Sequence, residues 1–222
     1  MVVGDVHGRA DLLVELIEEI ENVAPNATRV FVGDYIDRGP DSLAVLDILL
    51  EQEAAGGICL KGNHEEMCLE FLSQDDPQGY RWLRHGGLET LASFDIHIGR
   101  DADFHEIANA KRMFSEKLGG PTRDWLKERP LYWKSGNIWV CHAGPSPAEP
   151  IPVQDEKHFL WGHNRFLRDV RTDGQWVVHG HWVVDKPQAF DGRINVDTGA
   201  WRSGKLTAAV ISTDGNVKFL ST

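Results

Sequence analysis

The sequence predicts an α/β fold: a parallel βαβαβ half followed by a strand-rich half. Three observations carry this expectation. Short apolar runs end in Gly4-Asp5, Gly33-Asp34 and Gly62-Asn63, and 29 residues separate each Asp or Asn from the next, about one βα unit. Between these ends lie stretches whose apolar residues recur at helical spacing. Beyond residue 130 that periodicity gives way to β-rich runs bounded by turn signals.

Val2-Val3 reads as the end of a first strand. Only Met1-Val2-Val3 precedes the first motif, which reads as an unusually late start or a truncated chain. From Asp11 to Val23, Leu12, Leu13, Leu16, Ile17 and Ile20 mark a helix that Asp11 is expected to cap and Pro25-Asn26 to stop. RVFV (29–32) is the second strand. Asp41-Ser42 opens a second helix that Gly56-Gly57 ends, and ICLKG (58–62) is the third strand. A third helix starts near His64. Residues 73–130 read as a largely helical insertion, with patterns at 80–94, 103–118 and 122–128. The strands of the second half are 137–144, 175–181, 193–199, 205–213 and 216–221, with Thr213-Asp214-Gly215-Asn216 as a hairpin turn.

The 222 residues contain no Pro/Ser-rich spacer or charge block, so a single domain over 1–222 is expected. The formal charge of −11 argues against a nucleic-acid partner, which would require a basic face. Cys59, Cys68 and Cys141 are odd in number and lack CxxC spacing, as in buried thiols of a reducing, cytoplasmic protein. No run of about 18 apolar residues suggests a membrane span, and no obligatory protein partner is evident. The eight tryptophans are expected in the core and in cleft walls.

In an open parallel sheet, ligands gather at the carboxyl ends of the strands. Asp5, Asp34 and Asn63 are therefore expected to converge, each with company: His7 after Asp5, Asp37 and Arg38 after Asp34, His64 and Glu65 after Asn63. Two later strands carry His142, His179 and His181 near their ends. A mixed oxygen and imidazole donor set of this size exceeds what one ion can use and suits two ions of manganese, iron or zinc type sharing a carboxylate. Without cations the gathered charge would be strongly unfavourable.

GDVHG (4–8), GDYIDRG (33–39), GNHE (62–65), CHAG (141–144) and GHW (180–182) resemble the PPP-type phosphoprotein phosphatases of the calcineurin-like metallophosphoesterases, with the small bacterial and phage enzymes most alike. The likeness extends to WLRHGG (82–87) and VDTGA (196–200). It implies a four-layer β-sandwich flanked by helices. It also implies a phosphomonoesterase acting on phosphoserine and phosphothreonine proteins or peptides. By this resemblance Asp5 and His7 would bind a first metal, Asp34 would bridge, and Asn63, His142 and His181 would bind a second. Manganese is favoured, with iron and zinc as alternatives. His64 would be the general acid, aimed by Asp37, while Arg38 would hold phosphate oxygens beside Asn63.

One departure stands out. Related bacterial enzymes often read WxRER where this chain reads Trp161-Gly162-His163-Asn164-Arg165. His163 replaces the first arginine, a second phosphate contact, and Arg165 is the remaining candidate for a substrate contact. The expected reaction is direct attack on phosphorus by a hydroxide held between two metals, with His64 protonating the leaving oxygen. The alternatives are a dinucleoside polyphosphate or nucleotide hydrolase, and an inactive relative that binds metal or phosphoprotein.

Overall fold

The computed structural model describes residues 1–73 and 80–222. Residues 74–79 of the expected helical insertion lie outside the described residues. The first half alternates β1 (Val2–Val3), α1 (Ala10–Val23), β2 (Val30–Phe31), α2 (Ser42–Ala54), β3 (Ile58–Cys59) and α3 (Asn63–Leu72). Then come a short turn α4 (Tyr80–Trp82), a π-helical turn at Leu83–Gly87, α5 (Leu88–Ser93) and the long α6 (Phe104–Glu128). The second half contains β4 (Tyr132–Ser135), β5 (Ile138–Cys141), α7 (Glu156–Trp161), β6 (Trp176–His179), β7 (Gln188–Phe190), β8 (Arg193–Asn195), α8 (Ala200–Ser203), β9 (Thr207–Ile211) and β10 (Val217–Ser221).

Two five-stranded sheets form, in the orders β10-β9-β1-β2-β3 and β4-β5-β6-β8-β7. β1, β2 and β3 run parallel, and so do β5, β6 and β8; the flanking strands are antiparallel. The period of two sorts each strand's side chains between layers. Val2, Val30, Val140, Val178 and Ile194 fill the seam between the sheets. Their neighbours Val3 and Phe31 face α1, α2, α3 and α6. Trp139, Cys141 and Val177 face Ile151, Phe159 and Phe166 on the far side of the second sheet. The result is a β-sandwich with a helical layer on each outer face, as the sequence predicts.

Two local expectations are corrected and a third is borne out. Asp11 does not cap α1; Arg9 is the cap residue, and its guanidinium holds the Asp11 carboxylate instead. The two helical patterns at 103–118 and 122–128 are borne out: non-helical backbone at Gly119, where φ is 74°, separates two helices within Phe104–Glu128 just before Pro121. Strands β4 and β7 were not expected; both lie at sheet edges, largely exposed.

Candidate metal and phosphate site

The carboxyl ends of the parallel strands of both sheets meet at one place. β1 delivers Asp5 and His7, β2 delivers Asp34, and β3 delivers Asn63; from the second sheet β5 delivers His142 and β6 delivers His181. The loops interlock through the backbone. The amides of Val6 and His7 donate to the Asp34 carbonyl at 3.1 and 2.9 Å, and Gly8 donates to Tyr35. These tight turns bear strain at the site. Among the described residues seven non-glycines have positive φ, and five of them are His7, Asp34, Asp37, Arg38 and His181. Gly62 sits so close to Asp34 that a Cβ there would collide with the Asp34 carboxylate and amide.

Asp34 lies at the centre. Its Oδ2 is 3.5 Å from His7 Nε2 and 3.9 Å from His64 Nε2, while its Oδ1 is 3.4 Å from His142 Nε2. Two groups of possible ligand atoms, each within 4.8 Å of one another, therefore share this carboxylate: His7, Asp34 and His64, and Asp34, His142 and His181. Burial would raise the Asp34 carboxyl, but His142, His64, His7 and His181 outweigh it and hold it below the carboxylate range.

The donor chemistry fits cations. His142 Nε2, His181 Nδ1 and Asn63 Oδ1 approach pairwise within 2.8 to 3.1 Å. Burial lowers both imidazoles, with His181 pushed down to about 3, so both are neutral and offer lone pairs. His7 is fixed the same way. Its Nδ1 donates to the Ile36 carbonyl at 2.8 Å, which leaves the Nε2 lone pair facing the cluster. A guanidinium already stands in as the cation there: Arg38 donates Nη1 to His7 Nε2 at 3.0 Å and Nη2 to His64 Nε2 at 2.9 Å.

His64 and Asp37 form a buried pair, with Nδ1 2.6 Å from Oδ2. Asp37 also accepts from Trp82 Nε1 and Thr90 Oγ1. An ionised carboxylate only accepts, so Nδ1 of His64 carries the proton and Nε2 points toward Arg38. Burial would lower His64, but Asp34 and Asp37 overcome it and raise the imidazole above its ordinary range.

Not every expected residue joins this cluster. Asp5 is buried beside it but turns its carboxylate to the His181 amide (3.0 Å) and to Asp197. Burial, Asp197 and Asp34 hold Asp5 well above the carboxylate range. Arg165 is not brought to the cluster. It is exposed, and its guanidinium is held by Asp169 four residues on. His163 packs edge-on against His158. His179 is buried against Phe166, with its Nδ1 3.0 Å from the Gly180 carbonyl.

Two residues of the site were given no role by sequence reasoning. Glu65 accepts from the amides of Asp34, Tyr35 and Gly62 at 2.8 to 2.9 Å and so ties the second loop to the third. Asp197 follows β8, accepts from Gly199 and contacts Asp5; burial pushes its carboxyl up to about 6. The signals were present in GNHE and VDTGA, but neither names a partner.

Beside Arg38 opens a cavity of about 680 Å³. It takes Arg84 and His85 from the π-helical turn and Arg100 from the loop before α6.

Comparison with known proteins places these features in context. The family of calcineurin-like phosphoesterases matches residues 1–185. The asymmetrical bis(5'-nucleosyl)-tetraphosphatase PrpE of Oceanobacillus iheyensis is 30% identical over 93% of this chain and 86% of its own length. Serine/threonine-protein phosphatase 2 of Escherichia coli is 29% identical over 93% of this chain and 89% of its own. Among solved structures, a protein serine/threonine phosphatase from Saccharomyces cerevisiae superposes with a TM-score of 0.58 at 17% identity, covering 99% of this chain and 78% of the other.

Proposed function

The chain belongs to the calcineurin-like phosphoesterase family, and on that premise we propose that it hydrolyses phosphate monoesters with two divalent metal ions, acting on phosphoserine and phosphothreonine. Asp5, His7 and Asp34 would hold one ion; Asp34, Asn63, His142 and His181 would hold the other. Manganese is the favoured ion. Bound there, divalent ions supply Lewis acidity to the phosphoryl oxygens and make water acidic enough to attack near neutral pH.

The chain's own residues do the rest. Arg38 offers a fork of N–H donors that matches phosphate oxygens. His64 Nε2 accepts from Arg38 in this structure; once a phosphate takes the Arg38 fork, Nε2 would be free to carry a proton for the leaving oxygen, with Asp37 favouring the charged ring and aiming it. Serine and threonine alkoxides leave poorly, so this proton is worth about 10²–10⁴-fold. The observation that carries this reading is the 2.9 Å approach of Arg38 Nη2 to His64 Nε2, beside Asp34. It brings a phosphate-binding group and the candidate acid to one point.

A second reading, hydrolysis of dinucleoside polyphosphates, draws support from the relative in Oceanobacillus iheyensis and from the arginine-lined cavity. One experiment separates them. Protein stripped with a chelator is reconstituted with manganese, iron or zinc and assayed on a phosphoserine peptide, diadenosine tetraphosphate and para-nitrophenyl phosphate. Turnover of the phosphoserine peptide above the dinucleotide supports the first reading. If no metal restores hydrolysis of para-nitrophenyl phosphate, both readings fail.

A further inference from the structure

The cavity that opens beside Arg38 holds about 680 Å³, far more space than one phosphate needs. Its charged lining includes Arg38, Arg84 and Arg100, against Glu89. Arginines close by in the chain have acidic partners: Glu70 stands 3.6 Å from Arg81, and Glu116 stands 2.8 Å from Arg112. Among the described residues no carboxylate, Glu89 included, forms such a pair with Arg84 or Arg100. Both are exposed, so two guanidinium forks line the cavity with donors to offer.

The position of these forks relative to the reaction site is fixed. Arg38 belongs to both places: its guanidinium reaches His7 and His64 and also lines the cavity. The backbone amide of Arg38 donates to the Gly86 carbonyl at 3.2 Å, which pins the turn that carries Arg84. Gly86 has φ of 112° and no room for a Cβ, because Arg38 and Asp37 press against it. Trp82 of the same segment donates to Asp37. A site held in place in this way loses little on ordering when a ligand arrives.

Charge selects the occupant. The chain carries a formal charge of −11, so an acidic substrate is repelled by most of the molecule and drawn to a cleft that gathers arginines. When the scissile group is a phosphoserine, the chain that continues past it is peptide. The anionic groups a peptide offers are aspartate and glutamate carboxylates, which match a guanidinium fork in geometry. Ile107 and Trp201 supply apolar wall for the methylene groups of such a side chain. An extended peptide advances about 3.3–3.6 Å per residue, so side chains one to three positions from the phosphoserine sample a neighbouring cavity of this size.

We propose that this cavity is a specificity subsite for an acidic side chain flanking the phosphoserine: Arg84 and Arg100 bind its carboxylate while Arg38 holds the phosphate. The inference rests on the phosphoserine reading given above and narrows its substrates to acidic phosphopeptides.

The test uses phosphoserine heptapeptides with Glu, Gln or Lys at the three positions on one side of the phosphoserine, in one set for each side. The readouts are kcat/KM of metal-loaded protein and calorimetric binding of the same peptides to metal-stripped protein, which reads selection without turnover. In one of the two sets, wild type should prefer the Glu peptide over the Gln peptide at least about fivefold in both readouts. Arg84→Ala/Arg100→Ala should erase that preference, and Arg84→Glu/Arg100→Glu should reverse it in favour of the Lys peptide. Turnover of the Lys peptide would also show that the reversed variant is folded; if reversal abolishes all turnover, the alanine variant decides. Equal handling of the Glu, Gln and Lys peptides by wild type in both sets overturns the subsite. So does a preference that survives in the alanine variant, or a loss in that variant confined to diadenosine tetraphosphate, which would make the occupant a nucleotide. The parent reading fails separately: wild type would then hydrolyse none of the peptides with any metal. In that case the binding arm still decides the subsite.

Discussion

Nδ1 of His64 stands 2.6 Å from Oδ2 of Asp37, and both side chains are buried. Trp82 and Thr90 fix the same carboxylate from the other side. Burial would lower the His64 imidazole; Asp34 and Asp37 raise it above the ordinary histidine range. If protonated His64 is the general acid, activity persists at pH values where a free imidazole has lost its proton. The alkaline limb of kcat/KM reports that loss. Asp37→Asn removes one of the raising charges, so the limb should move to lower pH. A limb that stays put in the variant would remove His64 from the acid role. His64→Asn should cost about 10²–10⁴-fold on phosphoserine and less on para-nitrophenyl phosphate, whose leaving group needs less protonation.

The Glu65 carboxylate is the fastener between two site loops. It is buried and accepts three backbone N–H groups, from Asp34, Tyr35 and Gly62. Glu65→Ala would leave three buried donors unpaired, at about 1–3 kcal/mol each. The loss should therefore reach about 3 kcal/mol or more, or roughly 6–12 °C in Tm for a chain of this size. Glu65→Gln retains one oxygen and sets an NH₂ against an amide donor, so its loss should be smaller but real. Thermal unfolding of the two variants in chelator checks this, because metal binding is then removed from the comparison. Wild-type Tm in Glu65→Ala would mean that water replaces the carboxylate.

The parts of this molecule that could be read from the chain are those whose signal is local. A Gly-Asp or Gly-Asn at a strand end every 29 residues marks parallel strands and the side on which their ends open. The edge strands β4 and β7 gave no such signal. Their side chains are mostly exposed, so no alternation of apolar and polar residues develops. The site divides in the same way. Residue types with metal chemistry are conspicuous, and the fold brings Asp34, Asn63, His142 and His181 together from chain positions far apart. The residues that hold them are not conspicuous. Thr90 meets Asp37 across 53 positions, and Asp197 meets Asp5 only because β8 and β1 lie in facing sheets. Arg165 is paired with an i+4 partner that its place near a motif does not announce.

Cation removal should be felt by the whole fold. Asp34 is shared between two donor groups, and Asp5, buried close by, is held well above the carboxylate range by burial, Asp197 and Asp34. Divalent ions relieve that crowding in the native state and find no such preformed site in the unfolded chain. A ligand at 100 to 1,000 times its Kd stabilises by about 2.7–4.1 kcal/mol. For this chain length that corresponds to roughly 5–16 °C in Tm. Excess manganese should therefore raise Tm over that of chelator-treated protein by this amount. In Asp34→Asn the increment should largely vanish and metal content should fall for both ions together, because one carboxylate serves both donor groups. Elemental analysis showing two ions retained at wild-type affinity in Asp34→Asn would exclude the bridging arrangement. Retention of a single ion would confine Asp34 to one of the two groups.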